Sequence, residues 1–198
     1  IIDDDSDIML LSSEGKAVRF ASTDARAMGR VSKGVRGMRL PEEHRVISMV
    51  VPEEDGFLLT VCQNGYGKRT KVTEFPTKGR GGKGMIAIQA SERNGPLVGS
   101  TQLFDGDEIM LISDQGTMVR TRGDEVSVVG RNTQGVRIIR LKDSENLVRL
   151  ARIAEPEEEE VFDEDGVLVD TASGEAAAES APNEESAEDS SPAEGSEG

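Results

Sequence analysis

Tryptophan is absent from this chain, and tyrosine, cysteine and histidine occur once each, as Tyr66, Cys62 and His44. One thiol has no internal disulfide partner, and one thiol with one imidazole cannot complete a zinc site. No Ser-His-Asp set or P-loop is present, and carboxylates are so numerous that no pair stands out as a general acid and base. Cys62 holds the repeat position occupied by Ser12 and Ser113 elsewhere, so it reads as a small strand residue in a reducing compartment. His44 follows Glu42 and Glu43 in a strand connection, where a solvated ring is expected. No apolar run approaches the roughly 20 residues that a membrane helix needs, and no signal-peptide pattern opens the chain. Little in these residues supports catalysis or membrane insertion, which leaves recognition.

Basic residues are missing from one whole region. All 23 Lys and Arg lie in residues 1–154 beside 21 of the 38 Asp and Glu, so that part carries +2, whereas 155–198 has 17 acids and no base. The formal charge of −15 therefore describes the tail rather than the part that folds. Residues 155–198, rich in Glu, Ser, Ala, Gly and Pro, bury too little apolar surface to offset their ordering entropy, and disorder is expected there. Val161-Phe162 and Val167-Leu168-Val169 are the only apolar clusters in that tail.

What is abundant is glycine in a repeated setting. Gly29-Arg30-Val31-Ser32-Lys33-Gly34 returns as Gly79-Arg80-Gly81-Gly82-Lys83-Gly84 and as Gly130-Arg131-Asn132-Thr133-Gln134-Gly135, at offsets of 50 and 51 residues. Ile8–Gly15 likewise matches 57–65 and 109–116, and Arg19, Arg69 and Arg120 fall at one repeat position. Each unit reads as four short strands: 8–13, 17–21, 35–40 and 46–51 in the first; 57–62, 68–72, 85–90 and 97–104 in the second; 108–113, 117–122, 136–141 and 147–154 in the third. Ser22-Thr23-Asp24 is expected to cap one helical turn. Four strands at this period is the size of a propeller blade, which predicts an all-β chain of antiparallel blades at 8–55, 56–106 and 107–154. Residues 1–7 resemble the junctions between units and there is no initiating Met, so the chain is expected to begin in the last strand of a preceding blade and to be part of a longer polypeptide.

The basic residues sit where a recognition surface would place them. Period two puts Arg19, Arg69 and Arg120 on one strand face with Lys71 and Arg122, opposite Val18, Phe20 and Val119, and Lys68 adjoins them. The Gly-rich loops add Arg30 and Lys33, then Lys78, Arg80 and Lys83, then Arg131, with Arg36 and Arg137 two residues beyond. Glycines let backbone N–H groups approach a phosphate and the flanking cations supply charge, so Lys78–Gly84 reads as a phosphate cradle; the alternative is that the glycines are turn positions and the cations solvate a rim.

Lys78-Gly79-Arg80-Gly81-Gly82-Lys83-Gly84 resembles the Gln-Arg-Arg-Gly-Gly-Lys-Gly box of the DNA gyrase A-subunit family. Asn64–Thr70, Val129–Val136, Arg26–Gly29 and Ala154-Glu155-Pro156 before an acidic tail resemble later parts of that family's C-terminal domain. The resemblance spans 1–154. It implies the final three blades of a six-bladed pinwheel whose basic rim bends duplex DNA so that ATP-driven strand passage introduces negative supercoils. It also implies partners in the gyrase B subunit, within an A2B2 heterotetramer, and in the N-terminal part of the A subunit. In that enzyme ATP and Mg2+ would be bound elsewhere, no catalytic residue would lie in this chain, and the setting would be cytoplasmic and nucleoid-associated. The box belongs in the family's first blade and begins Gln-Arg, whereas Lys78 and Gly79 stand here in the penultimate unit, so this stretch reads as a degenerate internal copy. Tyr66, between two glycines, is not expected to be the family's cleavage nucleophile. The related propeller of topoisomerase IV, and a protein-interaction propeller with Gly-rich repeats of similar length, are the alternatives.

Overall fold

The computed structural model describes Asp3, residues 5–154 and the backbone of Val161–Phe162 and Leu168–Val169. It divides into two units, Ile1–Pro156 and Glu157–Gly198. In the first, apolar alternation makes strands β1 (Asp7–Ser12), β2 (Lys16–Ala21), β3 (Val46–Val50), β4 (Phe57–Cys62), β5 (Tyr66–Lys71) and β6 (Met85–Ile86). These are followed by β7 (Leu97–Leu103), β8 (Glu108–Ser113), β9 (Met118–Arg122), β10 (Val136–Arg137) and β11 (Leu147–Ile153). In the second unit β12 (Val161–Phe162) pairs antiparallel with β13 (Leu168–Val169). The expected disorder of 155–198 otherwise lies outside the described residues.

The strands form antiparallel sheets in the orders β3-β1-β2-β6, β10-β5-β4-β7 and β11-β8-β9. The all-β reading holds, but the blades are not the sequence repeats. Met85–Ile86 pairs with β2 of the preceding repeat, and Val136–Arg137 with β5, so the second and third repeats each lend an outer strand backwards. Consequently Val35–Leu40 is not a strand, because the edge of β2 that it would use is taken by β6. It instead lies along the second Gly-rich loop, where Gly81 N–H donates to the carbonyl of Gly37 and Arg39 N–H to that of Gly82. The runs expected at 85–90 and 136–141 shrink to two residues each. Beyond them the N–H groups of Ala87 and Ile88 both turn to the carbonyl of Gly15, and those of Ile138 and Ile139 to that of Gly65. Gly15 and Gly65 serve as these acceptors at φ of 81° and 79°, where a Cβ would press on the carbonyl of Ile88 or Ile139.

Strand alternation sorts the core into inter-blade layers. Met9 and Leu11 meet Leu58, Cys62 and Phe75 between the first and second sheets. Leu59 and Val61 point the other way, to Ile109, Leu111 and Leu147. Each fully buried Leu contributes about 1.5–3 kcal/mol. On the far side of the first sheet Val18 and Phe20 are covered by Met38, with Leu40 packed beside them. The helical turn expected at Ser22–Asp24 is a single 3-10 turn with no side-chain cap, repeated at Val72–Glu74 and Gly123–Glu125. His44 is not simply solvated: its Nδ1 lies 3.1 Å from the Ser13 hydroxyl. No helix among the described residues is long and apolar enough to cross a membrane.

Candidate nucleic-acid interface

Arg19 and Arg69 are not on a rim. Arg19 is 7% exposed, and its guanidinium donates to Asp7 at 2.7 Å, to Glu54 at 2.5 Å and to the Phe75 carbonyl at 3.2 Å. Arg69 is 6% exposed, donates to the carbonyls of Val126 (2.8 Å) and Asp124 (3.2 Å) and lies 4.9 Å from the centre of the Phe57 ring. Phe75 and Val126 are equivalent positions just past the 3-10 turns, so the same arginine ties each blade to the next. Period two placed these residues on one face correctly. That face is the inter-blade face, which removes Arg19 and Arg69 from any solvent-facing DNA path.

Lys68 is also withdrawn, being fully buried. Its ammonium donates to the carbonyls of Gly130 (2.6 Å) and Arg131 (2.5 Å) and to the Thr133 hydroxyl (3.2 Å), gripping the third Gly-rich loop from beneath. Burial, with the nearby Arg131 adding to it, pulls the Lys68 amine down to about 8, against a smaller opposing pull from Glu74. Cys62, also buried, has its thiol pushed up to about 12 by burial, which leaves it inert.

The Gly-rich loop residues, together with Lys71 and Arg137 at strand ends, are at the surface. Arg30, Lys33, Arg36, Lys71, Lys78, Arg80, Lys83 and Arg137 are exposed, and Arg131 is half-buried. Among the described residues none of these nine enters an ion pair. Backbone contacts aim two of them: Arg80 donates to the carbonyls of Asp24 (2.9 Å) and Arg36 (3.2 Å), and Arg131 to that of Ile86 (3.3 Å). Arg120 and Arg122 are exposed but paired, with Glu108 and Asp124 respectively.

Lys78, Gly79, Gly82, Lys83 and Gly84 line a cleft of about 210 Å³ backed by Ala17, Val18, Arg19 and Met85. One repeat on, Lys68 replaces Val18 at the equivalent position. The loop is anchored where Gly84, at φ 80°, passes within 2.8 Å of the Ala17 carbonyl measured from a hypothetical Cβ, and Gly135 repeats this on Gly67 at 2.4 Å. Further exposed cations that the motif did not mark include Arg39, Arg93, Arg140 and Lys142. Arg93 could not be found by periodicity, since Glu43 and Ser144 hold its position in the other repeats.

The family model for the DNA gyrase C-terminal domain, described as a β-propeller, matches residues 6–53, 56–99 and 107–154, one segment per repeat. The chain belongs to the DNA gyrase C-terminal domain family. The DNA gyrase A subunit of Escherichia coli K12 is 55% identical over 159 residues, covering 80% of this chain and 18% of that protein. The chain thus spans about a fifth of the length of such relatives. A solved DNA gyrase A C-terminal domain superimposes with a TM-score of 0.71 at 29% identity, covering 77% of this chain and 52% of that one. The C-terminal domain of a DNA topoisomerase IV gives the same TM-score at 20% identity over 76% of this chain and 47% of that one, which speaks for the shared fold. The higher identity favours the gyrase reading over topoisomerase IV.

Proposed function

We propose that this gyrase-family chain is a DNA-binding and DNA-wrapping part of a type II topoisomerase, supporting ATP-dependent negative supercoiling carried out elsewhere in the enzyme. The partners in that reading are duplex DNA, the gyrase B subunit in an A2B2 assembly, and the N-terminal part of the A subunit. Those other parts would bind ATP and Mg2+, in the cytoplasm at the nucleoid.

One observation carries it: the Gly-rich loops hold exposed Lys and Arg without carboxylate partners among the described residues. Unpaired cations release condensed counterions when they meet phosphates, and backbone contacts of this kind read no sequence. Bending duplex DNA over a few tens of base pairs costs roughly 1–6 kcal/mol, so many distributed contacts are required, and loops repeated around stacked blades supply them. The test is ligation of nicked circles in the presence of the full chain. Wrapping shifts the linking-number distribution in one direction; a distribution centred where it lies without protein contradicts the proposal.

A further inference from the structure

The three repeats diverge where the second strand begins: Lys16 and Thr117 hold the repeat position that Tyr66 occupies in the middle one. Across the outer edge of the middle sheet Tyr66 is registered with Arg137, whereas Lys16 faces Ile86. Arg137 donates to the phenol oxygen at 2.7 Å and its guanidinium carbon lies 5.2 Å from the ring centre. Arg93 stacks on the same ring at 4.4 Å. Arg93 is itself held by Asn94 Oδ1 at 3.0 Å and by the carbonyls of Gln134 and Gly135 at 3.4 and 3.3 Å.

Tyr66 and Arg137 line an open cleft of about 440 Å³ together with Arg140, Lys142 and Asp143. Glu145, also at the cleft, is engaged by the Ser113 hydroxyl at 2.5 Å and the Lys142 N–H at 2.9 Å. None of Arg93, Arg137, Arg140 and Lys142 enters an ion pair among the described residues. Three cations thus line the cleft without an ion pair among the described residues, a fourth, Arg93, stacks on the tyrosine that lines it, and Arg93 and Arg137 are fixed in orientation by that one ring. A planar guanidinium held in place loses less freedom when it takes a phosphate oxygen in its fork.

We propose that Arg93 and Arg137, aimed by Tyr66, form a docking site for a backbone phosphate of duplex DNA on the middle blade. This rests on the DNA-binding reading above and names a place for it outside the Gly-Arg motif. Tyr66 acts here as a positioning residue. The Arg137 hydrogen bond holds the phenol below its ordinary range, so a phosphate drawing on Arg137 returns it upward.

Tyr66 is the single tyrosine in a chain without tryptophan, so tyrosinate absorption, read at the red edge of the base band as the difference from free duplex, reports this site alone. In the full chain at low salt, duplex DNA is expected to raise the titration midpoint of Tyr66. In an Arg93→Gln/Arg137→Gln variant with unchanged circular dichroism the duplex leaves the midpoint where it is, and the slope of log K against log salt falls by about 0.9 for one lost phosphate contact. Duplex that binds the wild-type chain without moving the midpoint overturns the site while leaving the DNA-binding reading intact. A midpoint that responds to inorganic pyrophosphate but not to duplex also overturns it, as a site for free anions. A chain that binds no duplex overturns both readings.

Discussion

Lys68→Met should abolish an unusual pH dependence. Folding takes the Lys68 ammonium from water, where its amine titrates near 10.5, to a buried place where it titrates at about 8. Below pH 8 both states hold the proton, and the full penalty of burying the charge is present. Between about 8 and 10.5 the unfolded chain binds one more proton than the folded chain, so this group makes stability rise with pH. At about 1.4 kcal/mol per unit the shift corresponds to roughly 3 kcal/mol, of which about 2.5 kcal/mol is recovered between pH 7 and pH 10. Urea unfolding followed by far-ultraviolet circular dichroism at these two pH values, on wild type and variant, isolates that term from the other titrating groups. With a denaturant dependence of about 2 kcal/mol per molar, the wild-type midpoint should gain about 1 M on the variant. Parallel pH dependence of the two proteins would refute a buried ammonium at this position.

Arg69→Met should destabilise by roughly 2–4 kcal/mol in urea unfolding, because it strands the Val126 and Asp124 carbonyls at a blade junction, whereas Arg120→Met should cost less than about 1 kcal/mol. Gly135→Ala should lower thermal stability by at least about 1–3 kcal/mol, since it combines positive φ with a Cβ driven against the Gly67 carbonyl; an unchanged melting temperature would count against the loop anchor. Deleting residues 155–198 should raise duplex affinity at low ionic strength and steepen its salt dependence if its 17 acids compete with phosphate for the exposed cations; equal affinities would leave the tail a solubility role.

The antiparallel strands and the loop positions were legible because a period of about 50 residues repeats hydrophobic alternation and turn glycines together. The exchange of outer strands was not. Met85–Ile86 and Val136–Arg137 are two residues each, too short to carry a pattern, and alternation in any case names a face without naming the partner across an edge. The same limit misplaced Arg19 and Arg69: polar residues opposite Val18 look solvent-facing until a neighbouring blade supplies carbonyls to receive them. Lys68 carried a hint, since Val18 and Val119 hold its repeat position and a lysine among apolar equivalents often reaches a buried acceptor. Arg93 and its stacking on Tyr66 left no trace, because contact between a strand end and a distant connection has no period.

The most direct measurement is the salt dependence of duplex binding by the full chain and two variants. Lys78→Ala/Arg80→Ala/Lys83→Ala should lose up to about 2.7 from the slope of log K against log salt, about 0.9 per phosphate contact, equally on unrelated sequences. Arg69→Met, measured where it remains folded, should keep the wild-type slope. A slope that survives the loop substitutions, or falls with Arg69 instead, would contradict DNA binding by the exposed loops.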